Sequence, residues 1–542
     1  MDRHRRALTT VALAAIPTAF LIVFFAYPVV AILGRGLYPH GSLQLAALGD
    51  VVTGSELDVV RFTVAQATLS TALTLALGLP GAWALSRIRF PGRRIVRALV
   101  IVPFVLPTVV VGVAFRALLG PGGPLAGLEL LPSLTAIVLA HAFFNYAVVV
   151  RIVGAMWEHL DPRVEESARV LGAGKMRTFV SITVPALAPA IAAAAAIVFL
   201  FTFASFGVIL ILGGPGLSTI ETEIYRQTTV FLNLETAAAL TIVQLGAIVA
   251  LLLVTGHAQR RYTTAQRLRP AATVARAPRG TGARVLLGVN LSVMALLVGA
   301  PVAALVLRSV RPPGGPFTLE AYRGLGEVRR GSAVLVEPLG AAATSVRFAL
   351  LATVLAVAIG GAASAAIARG KGRSSRLLDG ALALPLGVSA VTVGFGFLIA
   401  LNRPPVDLRG SWVLVPIAQA VVAIPLVMRA ITPRLRSIDP RLREAAAVLG
   451  ASPRRVWREV DLPLVRRAVL VGAGFAFAVA IGEFGATAFV ARPDSTTLPV
   501  AIFRLIGQPG PANFGVAIAA SVLLMAITAA AILVTDVERG AF

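Results

Sequence analysis

Asp161-Pro-Arg-Val-Glu-Glu-Ser-Ala-Arg-Val-Leu-Gly172 returns later in the chain as Asp439-Pro-Arg-Leu-Arg-Glu-Ala-Ala-Ala-Val-Leu-Gly450. Each copy continues at the same distance to a proline, Pro185 and Pro463. Gly172 to Gly450 and Pro185 to Pro463 are both separated by 278 positions, so the chain is a head-to-tail duplication of a unit of roughly 270 residues. The register extends outward from the repeated stretch. Ala204-Ser-Phe-Gly207 matches Gly482-Glu-Phe-Gly485, and Thr219-Ile-x-x-x-Ile-Tyr-Arg226 matches Thr497-Leu-x-x-x-Ile-Phe-Arg504. His141 and Arg151 match Gln419 and Arg429. Pro103 and Gly112 reappear as Pro385 and Gly394, here at an offset of 282.

The repeated stretch is polar and charged inside a chain that is 57% hydrophobic and only 14% charged. With a mean hydropathy of +0.86, this composition belongs to a polytopic membrane protein and not to a soluble domain. The net charge of +24 does not point to nucleic acid, because the basic residues fall in short runs between apolar spans, as positive-inside topology signals do. There is no cysteine, which removes disulfides, thiolate metal sites and cysteine nucleophiles.

Apolar spans of about 20 residues, long enough to cross a bilayer, fall at 10–34, 63–85, 97–119, 134–156, 186–212 and 237–256. A second set follows at 284–307, 339–368, 377–401, 411–430, 465–490 and 514–535. The expected fold class is all-α, with about twelve transmembrane helices as two parallel six-helix repeats. The expected boundaries are a first repeat over 1–258, a basic linker over 259–283 and a second repeat over 284–542. Positive charge gathers in Met1 to Arg6, Arg87 to Arg97, Arg260 to Arg284 and Arg369 to Arg376, placing both termini and these loops in the cytoplasm. The same parity puts both repeated stretches there, between the fourth and fifth spans of each half. The first apolar run is too long for a signal-peptide core and is expected to stay uncleaved.

Each repeated stretch reads as a short helix with its own stop signals. Asp161 and Asp439 are N-caps, with Pro162 and Pro440 at the first helical position. Glu166 and Glu444 sit in early turns, where a carboxylate suits the macrodipole. Gly172 and Gly450 end the helices as left-handed caps, and a second helix leads back to the membrane at Pro185 or Pro463. The result is a pair of rigid knobs outside the membrane.

With Ile182 and Pro185, and with Val460 and Pro463, these stretches resemble the EAA loop of ABC-importer permeases. The resemblance covers nearly the whole chain, and Ser167 is a small-for-small departure from the first alanine of that pattern. It implies the type I ABC importer permease fold, in the bacterial cytoplasmic (inner) membrane. In that family the loop forms a coupling helix that docks on the ATPase. The implied coupling residues are Glu165, Glu166, Ala168 and Gly172 in the first copy, and Glu444, Ala445, Ala446 and Gly450 in the second. The implied partners are a separate ABC ATPase, present as two copies and carrying ATP and Mg, and an extracytoplasmic substrate-binding protein. The chain itself is expected to be no enzyme and to bind no cofactor or metal. Its one phosphate-loop-like string, Gly172-Ala-Gly-Lys175, has Met176 where Ser or Thr would hold magnesium and Arg169 in place of the first glycine. The five histidines show no metal spacing.

Polar residues within the spans are the candidates for a translocation pathway, since such groups normally face a bundle interior or a wet cavity. They are His141, Asn145, Ser205, Gln419 and Glu483. Glu483 has three readings: attraction of a cationic substrate, a helix cap, or a partner for an arginine. His141 is either an interhelical hydrogen-bond partner or a ligand. The fused duplication resembles the thiamine and iron(III) branches of the superfamily. Leu139-Ala-His-Ala-Phe-Phe-Asn145 and the stretch from Phe203 to Tyr225 look most like thiamine permeases. A secondary transporter is the rival class, but it leaves the paired knobs unexplained and needs intramembrane coupling groups beyond Glu483.

Overall fold

The computed structural model describes residues 2–540 apart from 39–40, 44, 55, 263–276, 279, 329–336, 371, 404–405 and 409. Among these, ten helices are long and apolar enough to cross a membrane, and two bent helix pairs raise the number to twelve. Strand pairing among the described residues is limited to a two-residue ladder, Asn402 with Asp407 and Arg403 with Val406.

The third span of each half is sharply bent. Arg93–Val105 and Thr108–Leu119 meet at 104°, and Ser375–Gly387 and Ala390–Ala400 at 98°. In the first, Leu106 precedes Pro107 and is extended, with φ −64° and ψ 136°, the conformation that a following proline favours. In the second, Ser389 restarts the helix by accepting a hydrogen bond from the Thr392 amide at 3.1 Å. The fifth spans are also shorter than the apolar runs. They end at Phe203 and Ile481 and resume as Gly207–Leu212 and Thr487–Val490. The repeated string Ala204–Gly207 or Gly482–Gly485 is this break.

Nor do the fifth spans begin at Pro185 and Pro463. Each helix starts before its proline, at Lys175 and Pro453, and runs through it. The proline is accommodated by a π-helical turn immediately upstream, Phe179–Thr183 and Trp457–Asp461. Two more such turns, Ile22–Ala26 and Ala295–Gly299, precede Pro28 and Pro301 in the first and seventh spans. A proline donates no amide hydrogen and crowds the preceding turn, and the extra residue of a π-turn absorbs both effects.

Two compact units form, and they do not follow chain order. One contains Leu48–Glu223 and Val243–Leu319. Within it the second (Leu57–Arg87), fourth (Leu134–His159) and fifth (Lys175–Phe203) spans pack together, and the seventh (Thr281–Val310) joins them. Its core includes Ala84, Leu85, Tyr146 and Val150 with Leu287 and Met294. The other unit contains Met1–Ala47, Ile224–Ile242 and Glu320–Phe542. There the first helix lies along Pro338–Arg369, and Phe25 joins Val393, Phe397 and Leu414 in one core. The compact units thus depart from the sequence halves by exchanging their leading helices. The basic linker 259–283 largely lies outside the described residues, and its ends are helical, in Leu234–Tyr262 and from Thr281 onward.

Candidate functional site

The two repeated stretches fold to the same geometry. Pro162–Val170 and Pro440–Val448 are nine-residue helices. Asp161 accepts from the Arg163 amide at 3.0 Å, and Asp439 from the Arg441 amide at 2.9 Å. Gly172 and Gly450 take φ +86° and +83°. That turn lets the Ala173 amide donate to the Ala168 carbonyl, and Ala451 to Ala446, both at 3.0 Å, closing a Schellman motif. Ala168 and Ala446 contribute their backbone carbonyls to these turns.

Neither helix buries a residue. At the tip, Val170 and Leu171, and likewise Val448 and Leu449, are each 87% exposed. Two adjacent apolar side chains at the end of each helix are thus left uncovered by the described chain. They were visible in the repeat but carry no motif of their own, so sequence reasoning passed over them. Glu444 is exposed on the second helix, while Glu166 is half-buried on the first.

Glu165 does not face outward. Its carboxylate takes Arg87 at 2.9 Å and the Thr183 hydroxyl at 2.8 Å, and Arg169 approaches at 3.8 Å. The corresponding position on the other helix is Arg443, whose Nε donates to Asp461 at 2.7 Å. Thr183, Arg443 and Asp461 were not singled out from sequence, because the identities at these positions differ between the copies, and Arg87 was read there only as a topology signal.

The pathway candidates divide between the two units. In one, the His141 ring joins three elements: Nδ1 lies 3.0 Å from the Ser70 hydroxyl of the second span, and Nε2 lies 2.8 Å from Ser205 at the break of the fifth. Asn145 donates to the His141 carbonyl at 3.1 Å, leaving its own buried Oδ1 unpartnered. Ser70 completes this network and lay unremarked among the polar residues of its span. In the other unit, the buried Gln419 leaves its Oε1 unpartnered. Glu483 caps the short helix after the break, accepting from the amides of Ala486 at 2.7 Å and Thr487 at 3.0 Å and from the Thr487 hydroxyl. Among the described residues, no arginine pairs with it.

The family profile for "Binding-protein-dependent transport system inner membrane component" matches residues 75–264 and again 344–540. Two matches, one in each half, account for well over half of the chain. The chain belongs to this permease family. Among similar proteins is the thiamine transport system permease protein ThiP of Brucella abortus (strain 2308), 27% identical over 467 residues, covering 83% of this chain and 82% of that one. ThiP of Escherichia coli (strain K12) is 28% identical over 469 residues, with 83% of each chain covered. The probable ABC transporter permease protein y4fN of Sinorhizobium fredii (strain NBRC 101917 / NGR234) is 26% identical over 550 residues, covering 95% of this chain and 94% of that one.

The permease's Glu483 allows a direct separation of roles. Glu483→Ala should lower stability by about 3 kcal/mol or more, since it strands two buried amides and a hydroxyl. Glu483→Gln retains an acceptor for part of that cap while removing the charge. Thermal unfolding and uptake measured together on both variants decide the matter. A Gln variant that is stable yet defective in uptake would speak for a charge contact with substrate, and parallel losses for the cap alone.

Proposed function

We propose that this permease is the translocating subunit of an ATP-driven ABC importer, with Pro162–Val170 and Pro440–Val448 as its two contacts for a separate ATPase, one ATPase copy at each. The observation that carries the reading is the repetition of one capped helix, with the same exposed Val-Leu pair at its tip. A single exposed helix is ordinary; two with identical ends suit a symmetric pair of docking grooves. The chain would sit in the bacterial inner membrane, with both termini and both helices cytoplasmic. ATP and Mg would be held by the ATPase, leaving this chain no enzymatic role.

A binding protein would deliver substrate on the opposite face. Closure of the ATPase dimer would displace the two docking helices, and the repeats 1–258 and 284–542, joined by the linker 259–283, would rock so that a cavity opens to one side at a time. His141, Asn145, Ser205, Gln419 and Glu483 are the polar groups nominated to line that route. Glu165, Glu166, Ala168, Gly172, Glu444, Ala445, Ala446 and Gly450 are nominated for coupling, joined now by Val170, Leu171, Val448 and Leu449.

Changing these last four residues to Asp should release the ATPase, because carboxylates cannot enter an apolar groove without losing hydration. A loss of about a hundredfold in affinity or more is expected. Co-purification of a tagged ATPase reads it, and undiminished recovery would remove these tips from the interface.

For substrate, the two ThiP relatives support thiamine or a phosphorylated form of it; chelated iron(III) is the alternative from the sister branch. ATP hydrolysis by the complex reconstituted with its ATPase and binding protein, titrated with each compound, tests the choice. Stimulation by thiamine alone supports the first reading, and stimulation by iron alone replaces it with the second.

A further inference from the structure

Each docking helix is fastened to the spans by a polar contact, and the two contacts use equivalent positions with the acid moved from one side to the other. In the first half the acid is on the docking helix: Glu165 meets Arg87, the last residue of the second span, and Thr183, the last residue of the π-turn in the fifth. In the second half the acid is on the returning helix. Asp461, the last residue of that π-turn, accepts from Arg443 on the docking helix, while Arg369, the last residue of the second span, lies over the ring of Trp457, the first residue of the same turn, at 5.7 Å. Positions 165 and 443, and 183 and 461, are equivalent by the 278-residue offset.

We propose that Arg87–Glu165–Thr183 and Arg443–Asp461 are polar locks, sets of positioning residues that transmit displacement of each docking helix into the spans they touch. The proposal rests on the reading of these helices as ATPase contacts.

Three features support it. First, the locks are the sheltered part of otherwise exposed helices: the side chains of Arg87 and Glu165 are 11% and 18% exposed, and that of Asp461 is 3%. A partly buried ion pair is screened less than a surface one and holds its geometry better. Second, both π-turns end at the lock, and an extra residue in a helix re-aims the side chains that follow. Third, the exchange is compensated. Arg443 opposite a threonine would be a cation without its acid, and Glu165 opposite an aspartate would set two acids together. The copies avoid both, so the link has survived while its residues changed. The sign is exchanged at a second joint as well. Glu158 of the fourth span takes Arg93 at 3.1 Å and also Arg97, whereas the second half sets Arg436 against Asp379 at 3.7 Å.

The test rebuilds one lock in the image of the other. Glu165→Arg should cost roughly tenfold or more in substrate-stimulated ATP hydrolysis by the reconstituted complex, because it places an unpaired cation beside Arg87. Adding Thr183→Asp supplies the acid where the second half has it and should restore most of the stimulation. In the permease without ATPase, amides of residues 163–172 should exchange about tenfold faster in Glu165→Arg than in the parent and return to parental rates in the double variant. The thermal transition of the spans should stay put. Full coupling in Glu165→Arg, or a folded double variant no better than the single, would overturn the lock. So would loss of coupling that merely follows a fall in thermal stability of the whole chain. The exchange measurement needs no ATPase, and release of the ATPase by the Val-Leu substitutions needs no lock, so the two ideas fail separately.

Discussion

Replacing Gly172 and Gly450 together by valine is expected to abolish substrate-stimulated ATP hydrolysis while the chain still inserts and folds. Both residues hold a left-handed conformation, φ +86° and +83°, and a Cβ built on either has nothing within 4 Å. The obstacle is therefore conformational and not steric crowding by neighbours. A non-glycine residue in that region costs roughly 1–2 kcal/mol, and a β-branched side chain is a still poorer occupant. Valine would push the turn elsewhere and break the bonds from Ala173 to Ala168 and from Ala451 to Ala446. The damage stays local, since neither nine-residue helix has a buried residue on which the spans depend. Asparagine tolerates the left-handed region, so the paired Gly→Asn variant should keep most of the coupling. Hydrolysis assayed with and without substrate, beside a size-exclusion profile, reads the result; normal coupling in the valine pair would remove these turns from the transmission route.

Gly394→Val is expected to cause a large loss of folded protein, whereas Gly112→Ala should be milder and repairable. The two glycines are equivalent by sequence, each in the second arm of a bent span. A Cβ at Gly394 would stand 2.7 Å from the Cα and carbonyl oxygen of Ala486, backbone fixed in place by Glu483. Overpacking commonly costs about 1–3 kcal/mol, and here the neighbour is main chain with no rotamer to change. At Gly112 the nearest atoms belong to the Ile211 side chain, at 2.9 Å. Ile211→Gly, which removes the Cβ as well as the rest of the side chain, should therefore restore Gly112→Ala, while no truncation of a neighbouring side chain should restore Gly394→Val. Yield of monodisperse protein and the midpoint of thermal unfolding distinguish the cases, and equal tolerance at both glycines would contradict the packing described.

Much of this architecture was legible in the residues. The repeat gave the duplication, hydropathy gave the twelve spans, and Asp-Pro with a following glycine gave both ends of each exposed helix. The bends of the third spans were only half legible: Pro103, Pro107 and Pro385 mark weak points, but the angle depends on what packs beside them. The breaks at Ala204–Gly207 and Gly482–Gly485 were hidden by the apolar residues on either side, which continue the hydropathy signal across a gap in the helix. The place of the first helix was not legible at all, since one apolar helix surface suits many neighbours. Of the candidate pathway residues, His141, Asn145 and Ser205 are brought together, whereas Gln419 and Glu483 are held by separate local settings. The locks escaped notice because a search for repeats looks for identity, and at these positions the copies keep a relationship while reversing its sign.

The exchange of leading helices sets an order on biogenesis. The first helix is made well before most of the unit it joins, because Met1–Ala47 groups with Ile224–Ile242 and Glu320–Phe542. At about 5–20 residues per second, synthesis of the intervening chain takes roughly a quarter of a minute to a minute. Through that interval the first helix must remain in the lipid without most of its eventual neighbours, Ile224–Ile242 excepted. The unit formed by Leu48–Glu223 and Val243–Leu319 can assemble meanwhile, so a nascent chain halted near residue 320 would carry one finished bundle and two segments, Met1–Ala47 and Ile224–Ile242, short of the rest of their unit, a natural object for quality control.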